Sequence, residues 1–427
     1  MCETPSEDLI YSRNRLQPFS FLIGMKKGVF NKKGGLDFPS PTFINTFEWL
    51  KPPDMSKESI LQGMEVRNKE GLVLVNREIM KKFKGIIGDM ITQLIKAAFG
   101  TPISLNVQLF EPKSTLQRIA DYWSLAPLFL NQAAQSSDPL QRIKLVMAFA
   151  IGGLYISTKQ LKPFNPLIGE TFEGQFEDGT KVYIEHISHY PTVARFYVLG
   201  KLYKFHGYFD FTTETGSFGS KLYVYQKGPI TVEFPEIGEK VVFSMPTILL
   251  LNARGEENRA SIWIENMLFS DIKNSLKGIV QFANNSSFIH GFEGYIIENT
   301  FNSKDYNHLK EAVKARDKLD FTNKQMQNRL LDKISGSWLQ ELKFSNDLAP
   351  AWSIDRDMPS WLRPPTHALP SDGRFREDLI WLYRMFNTLD EKEKKIYKDY
   401  SQGWKLAIEL GQRTEREIRK KNRPKKK

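Results

Sequence analysis

The sequence predicts an α+β protein in which one large antiparallel sheet, wide enough to close into a barrel around an interior cavity, is flanked by helices. Three observations carry that expectation. Roughly 130 residues, from about Glu170 to Glu298, read as strands separated by turn signals at short intervals. Upstream, apolar residues recur at three- and four-residue spacing in three successive stretches. The chain has 427 residues, 41% hydrophobic and 26% charged, which is enough to bury a substantial core and excludes disorder as the main state.

Residues 1–75 are punctuated by Pro39, Pro41, Pro52, Pro53 and the Gly34-Gly35 pair, with no sustained periodicity, and are expected to form an irregular N-terminal extension. Residues 76–101 then place Ile79, Phe83, Ile86, Ile87, Met90, Ile91, Leu94, Ile95 and Ala98 on one helical stripe with lysines between them, ending at Gly100-Thr101-Pro102. Such a helix suits a core face, a mobile cover or a membrane surface. Two more helices are expected, Leu116 to Asn131 and Asp138 to Ile156, the second opened by Asp138 as N-cap and Pro139 in the first turn.

In the sheet region, Lys181 to Ser188 alternates, and Tyr203, Phe205, Gly207, Phe209 and Phe211 share one face. Turns are expected at Glu177-Asp178-Gly179, Thr215-Gly216, Lys227-Gly228-Pro229, Ile237-Gly238 and Ala253-Arg254-Gly255. A charged stretch covers Asn302 to Asp332, a Pro-rich linker runs from Pro350 to Pro370, and a final helical region precedes a basic tail at 421–427. Residues 102–420 are thus one domain with helical subregions at both ends.

Lys and Arg number 60 against 49 Asp and Glu, a formal charge of +11. The segment Arg413 to Lys427 alone has nine basic and two acidic residues, and Arg77 to Ala98 has five and two, so the excess sits in two patches that would meet an anionic partner. The tail has no aromatic residue after Trp404 on which a base could stack, so nucleic acid is not the expected partner. Cys2 is the single cysteine, which excludes a disulfide framework and fits a reducing compartment. The first residues lack a basic stretch leading into an apolar run, and no stretch of ~18 uninterrupted apolar residues occurs, so a cytosolic protein is expected.

The chemistry of catalysis is sparse. His186 and His189 lie three apart on an apparent strand and should point to opposite faces, so no zinc site, no other metal and no cofactor is expected. There is no phosphate-cradling Gly-x-x-x-x-Gly-Lys loop and no Gly-x-Ser-x-Gly elbow. Glu256-Glu257 reads as a solvated turn. No enzyme is called for.

Two segments are stranger than packing requires. Lys162-Pro163-Phe164-Asn165-Pro166-Leu167-Ile168-Gly169-Glu170-Thr171 carries polar groups through a proline-stiffened apolar context. Glu185-His186-Ile187-Ser188-His189-Tyr190-Pro191-Thr192 ends a strand abruptly at a proline. Both resemble hallmarks of the oxysterol-binding protein family, a Lys-Pro-x-Asn-Pro-x-x-Gly-Glu run followed by Glu-Gln-Val-Ser-His-His-Pro-Pro. Further matching runs are Glu111-Pro112-x-Ser114-x-Leu116-Gln117-Arg118, Asp138-Pro139-Leu140-Gln141-Arg142, Ser335-Gly336-Ser337-Trp338 and Leu369-Pro370-Ser371-Asp372-x-Arg374-Phe375-Arg376, so the resemblance covers roughly residues 77 to 420. No pleckstrin-homology domain is recognisable.

The resemblance implies an incomplete many-stranded barrel around a lipid tunnel, closed by an N-terminal lid formed by the stripe Ile79, Phe83, Ile87, Met90, Ile91, Leu94 and Ile95. It also implies a phosphatidylinositol 4-phosphate headgroup held by Lys162, Asn165, His189, Tyr190, Lys405, Glu409 and Arg413. The last three are spaced i, i+4, i+8, which on a helix keeps them on one face and lets Glu409 pair with both cations. Tyr190 departs from the pattern by replacing a histidine, and Thr192 by replacing a proline. The function implied is a monomeric carrier, peripherally associated with membranes, that exchanges a sterol or phosphatidylserine for the phosphoinositide, or else a sensor that binds lipid without transporting it.

Overall fold

A computed structural model of the chain describes residues 54–80, 110–158, 161–217, 220–253, 258–283, 285–298, 330–365, 369 and 371–375. All belong to one of two compact units, Glu48–Asp89 with Gln108–Leu382; the other unit, Met1–Phe47, Met90–Val107 and Tyr383–Lys427, falls outside the described residues. So do Cys2, the lid positions Phe83 to Ile95, Glu256-Glu257, and Lys405, Glu409 and Arg413.

The described unit opens with a helical turn, α1 (Lys57–Ile60), and a hairpin of β1 (Met64–Arg67) and β2 (Gly71–Leu74). The irregular extension expected through residue 75 is therefore corrected over 57–74. Its four-residue elements are too short to show a period, yet Leu72, Val73 and Leu74 are buried and β2 adds to the sheet at Ala260 and Ser261. Residues 77–80 are helical, with Asn76 accepting at Oδ1 from the backbone N–H groups of Glu78 (3.0 Å) and Ile79 (3.1 Å) as the cap.

Next come β3 (Phe110–Ser114) and four helices: α2 (Thr115–Tyr122), α3 (Ala126–Gln135), α4 (Pro139–Gly152) and α5 (Leu154–Ser157). The single helix expected from Leu116 to Asn131 is broken because Pro127 sits in the first turn of α3, where its ring excludes the carbonyl four residues back. The expected helix from Asp138 to Ile156 likewise breaks at Gly152-Gly153. At Gly153 a Cβ would come within 2.5 Å of the Tyr122 carbonyl oxygen, so glycine lets α5 cross close to the end of α2.

Residues 139–156 would suffice by length and composition to cross a bilayer, yet 83% of that stretch is buried inside the protein. It also carries two buried cations, Arg142 paired with Glu239 at 2.5 Å and Lys144 paired with Asp332 at 2.6 Å and Asp347 at 2.7 Å. These pairings suit a core helix, not a lipid-facing one.

The sheet follows: β4 (Lys162–Phe164) pairs in parallel with β3, apart from the main sheet. The main sheet comprises β1 and β2 with β5 (Thr171–Gln175), β6 (Lys181–His189), β7 (Thr192–Leu199), β8 (Lys204–Gly216), β9 (Lys221–Lys227), β10 (Ile230–Phe234), β11 (Glu239–Phe243), β12 (Thr247–Leu251), β13 (Ala260–Asp271), β14 (Leu276–Phe282), β15 (Gly291–Glu298), β16 (Leu330–Ser337), β17 (Glu341–Phe344) and β18 (Trp352–Ser353). Its path runs β18-β17-β16-β15-β14-β13-β11-β10-β8-β7-β6-β5, with every pair antiparallel.

The two strands at its centre are each interrupted by a proline. β9 and β10 are joined by Gly228-Pro229, and β11 and β12 by Ser244-Met245-Pro246, so that β10 pairs with β11 and β9 with β12. Proline has no N–H for the ladder and splits each ribbon into two halves, which still share a neighbour, β8 for β9 and β10 and β13 for β11 and β12. α4 packs against β13 and β14 and also against β17 and β18, so the sheet curves around it. Inside, Trp123 lies 5.0 Å from Phe196, 5.3 Å from Phe205 and 5.9 Å from Phe149, ring centre to ring centre.

The sheet's edges, β18 and β5, are joined by chain, not by a ladder. The stretch expected as a Pro-rich linker is a strap: Arg363 and Gln175 exchange two backbone hydrogen bonds of 2.9 Å, and the Thr171 N–H donates to the Ser371 carbonyl at 2.9 Å. The described unit is thus an incomplete antiparallel barrel with flanking helices, as the family resemblance implies.

Candidate functional site

The site grows from the β3–β4 pair. Ser114 caps α2 by accepting the Leu116 N–H at 3.0 Å, and Thr115 donates its hydroxyl to the Phe164 carbonyl at 2.9 Å. Arg118, on the next turn, forms a buried ion pair with Glu111, reaches Asp121 at 3.6 Å and donates to the Ile156 carbonyl at 3.4 Å. These contacts hold β3 against α2, and the Phe110 ring packs 4.7 Å from that of Phe164. They explain the Glu-Pro-x-Ser-x-Leu-Gln-Arg spacing as scaffold.

On this scaffold Lys162 projects its ammonium 4.9 Å over the Phe110 ring, donates to the Pro163 carbonyl at 3.2 Å and closes onto the Asn165 side-chain oxygen. Lys162 and Asn165 are therefore brought together, as the motif implies.

The loop that follows ties them to the second segment. Gly169, with φ +76, donates its N–H to the His186 carbonyl at 2.9 Å, and the His186 N–H returns a bond to the Glu170 carbonyl at 2.9 Å. Glu170 is buried and accepts the Leu167 N–H at 2.9 Å, which fixes the loop's bend. Since Thr171 pairs with Glu185, continuing that register carries Leu167 and Ile168 toward the His189 end of β6. Leu167, Ile168 and Tyr190 are 49%, 59% and 68% exposed, so an apolar rim lies at this end of β6.

His186 and His189 do not point apart. The pairing of β6 with β7 runs His186 to Ala194, then Ser188 to Val193 and His189 to Thr192, so one extra residue is accommodated on β6 between His186 and Ser188. That bulge reverses the alternation beyond it and puts both imidazoles on one side, with His186 Nε2 2.8 Å from His189 Nδ1 and ring centres 4.7 Å apart. The expectation of opposite faces is thereby corrected; period-two reasoning has no way to register an inserted residue.

Burial pushes the His186 imidazole down to about 4, with His189 adding to the effect and the Val193 carbonyl opposing it. His186 was not among the candidates. Its signal in the sequence was a histidine at a position where the fingerprint has glutamine.

Tyr190 follows His189 at the strand end, its ring 6.4 Å away, and Thr192 donates its hydroxyl to the His189 carbonyl at 2.9 Å. Of the lid stripe, Ile79 alone falls within the described residues. Among the described residues no group of three or more His, Cys, Asp or Glu side chains is placed to hold a metal ion.

The remaining motifs are structural as well. Asp138 caps α4 by accepting the Leu140 N–H at 2.9 Å, and Ser337 accepts the Leu339 N–H at 3.1 Å while contacting His290 Nδ1 at 2.7 Å. Asp372 accepts from the Glu173 N–H at 3.2 Å and pairs with Arg374 at 2.6 Å, anchoring the strap to β5 beside the site.

The family model described as oxysterol-binding protein matches residues 92–427. Oxysterol-binding protein 9 of Dictyostelium discoideum is 30% identical over 331 residues, 74% of this chain and 74% of that protein. Oxysterol-binding protein-related protein 2 of Mus musculus is 32% identical over 204 residues, 45% of this chain and 41% of that protein, so the chain spans less than half its length.

Among solved structures, the ORD of Saccharomyces cerevisiae Osh3 in complex with PI(4)P superposes with a TM-score of 0.57 at 23% identity, covering 78% of this chain and 84% of that one. The Osh1 ORD in complex with ergosterol superposes at 0.50 and 17% identity, covering 76% and 78%. The fold is shared with both. With the family model spanning most of the sequence and every described motif serving a definable contact, the chain belongs to the oxysterol-binding protein family.

Proposed function

We propose that the protein is a lipid carrier that binds a phosphoinositide headgroup at the Lys162–His189 end of the sheet. It exchanges that lipid between membranes for a second one, a sterol or phosphatidylserine, without covalent chemistry. The observation that carries this reading is the backbone coupling of Gly169 and Glu170 to His186, which fixes the Lys162–Asn165 loop against the strand bearing His189. An ammonium, an amide and an imidazole are then offered from two short segments, a combination suited to phosphate: Lys as a point charge, Asn as a neutral donor and His as a ring N–H donor. Support also comes from the relatives whose structures hold PI(4)P, ergosterol or cholesterol.

The exposed Leu167, Ile168 and Tyr190 suit a bilayer surface, apolar groups entering the acyl boundary and the phenol remaining at the headgroup level. That rim supports peripheral membrane association of a protein working from the cytosolic side. Exchange follows from differential affinity of two mutually exclusive ligands, with direction set by the phosphoinositide gradient.

The test is transfer between donor and acceptor liposomes using the full chain. The expected result is catalytic transfer of phosphatidylinositol 4-phosphate that falls at least about tenfold, one lost charge-assisted contact or more, in Lys162→Ala and His189→Ala. Stoichiometric binding without turnover would instead make the protein a sensor, and unchanged transfer in both variants would overturn the site.

A further inference from the structure

We propose that Phe110 is a positioning residue for Lys162: its ring face holds the ammonium ready for a phosphate and leaves the positive charge intact. The geometry rests on the β3–β4 pair. Phe110 and Lys162 stand opposite one another in that pairing, so the strand register itself brings the ammonium to 4.9 Å from the centre of the Phe110 ring. Phe110 packs in turn against Phe164, whose ring centre is 4.7 Å away and which is buried, and the Thr115 hydroxyl ties the Phe164 carbonyl to α2. The ring that meets Lys162 thus has a buried support of its own.

A ring face does something a carboxylate would not. The negative face of an aromatic quadrupole attracts an ammonium without carrying a charge of its own, whereas a carboxylate would neutralise it. The Pro163 carbonyl and the Asn165 side-chain oxygen, which accept from Lys162, are uncharged as well. The carboxylates of the same scaffold are held by other cations, Glu111 by Arg118, and Asp121 by Lys113 at 3.0 Å and Arg118 at 3.6 Å. None of these contacts cancels the charge that a phosphate would meet. A free lysine side chain spreads over many rotamers, and ordering it is among the larger side-chain entropy losses. Phe110 orders it in the folded protein, before a lipid arrives, so less is lost on binding.

Phe110 precedes the Glu111-Pro112 run and is not among the headgroup candidates that the motifs supply. Its role becomes visible only when β3 is paired with β4, from a position 52 residues further along the chain. The ligand half of this proposal rests on the phosphoinositide reading above; the ring contact does not.

The test uses the full chain with fluorinated phenylalanine at position 110. Mono-, di- and trifluorinated rings keep the size and apolar character of Phe110 while draining its face of negative potential. Extraction of phosphatidylinositol 4-phosphate from liposomes is expected to fall stepwise along the series, about two- to fivefold in total. A ring that merely fills space would give a flat series, and that result overturns the proposal. In Lys162→Ala the same series should have no further effect, because the ring acts through the ammonium; a fall that persists there also overturns the proposal. Spectra of the lipid-free protein labelled with 13C-lysine separate the contact from the lipid reading. The ε-methylene protons of Lys162, assigned by their absence from Lys162→Ala, are expected upfield of those of the other lysines through the ring current of Phe110, and should return toward them in Phe110→Leu. Ordinary shifts in the unmodified protein overturn the proposal. Upfield shifts in a protein that extracts no phosphoinositide overturn the lipid reading instead, and with it the ligand half of the proposal.

Discussion

Tyr190 puts a neutral phenol where the resembled fingerprint carries a second histidine, which removes one group able to become cationic against a phosphate. Tyr190→His is therefore expected to tighten phosphoinositide extraction several-fold, and liposome competition at neutral pH reads it directly. Titration within the fold gives a second expectation. Asp271 is buried beside Glu239 and is pushed up to about 6 from an ordinary 3.8, by burial first, although Asn274 works against the shift. An acid raised in this way costs stability when charged; the cost is present above about pH 6 and is relieved as pH falls toward 3.8. Asp271→Asn should be more stable than the parent at pH 8, with the advantage shrinking by pH 5, as measured by urea unfolding at both. At this scale the motifs single out Lys162, Asn165 and His189, which the structure places on two segments tied by backbone bonds, but alternation misplaces the His186 ring, because it is a rule about unbroken ladders and the β6 bulge breaks one.

At the scale of elements, the Glu111–Arg118 pair is what holds β3 to α2 and so supports the floor under Lys162. Both side chains are nearly buried, and removing one partner strands the other's charge. Arg118→Ala is expected to cost about 3–5 kcal/mol and to weaken lipid extraction more than its distance from any ligand would suggest. An apolar pair, Glu111→Leu with Arg118→Met, should recover most of that stability in thermal unfolding, whereas a direct ligand role for Arg118 would leave binding lost in the double variant. Elements of length and clear period were legible: β6, β8 and α4 all fall close to where alternation and the Asp138-Pro139 cap place them. The β1–β2 hairpin and the strap were not. Each makes its case through partners far away in the chain, Ala260 and Ser261 for one and β5 for the other, which local pattern does not carry.

For the whole molecule, the Leu167–Ile168 loop is expected to decide membrane residence. Leu167→Asp with Ile168→Asp should lower co-sedimentation with anionic vesicles while leaving the fold intact, since Gly169 and Glu170 still make the backbone contacts that hold the loop. Retained co-sedimentation would move the docking surface elsewhere. The strap has a different consequence, one of timing. Thr171 and Ser371, which meet at the barrel's edge, are 200 positions apart. At typical synthesis speeds of ~5–20 residues per second, β5 leaves the ribosome about 10–40 s before the chain that will cover it exists. Throughout that interval the nascent barrel presents a bare hydrogen-bonding edge, the kind that recruits a neighbouring strand. Its most vulnerable moment therefore comes during translation, before its last strand partner is made.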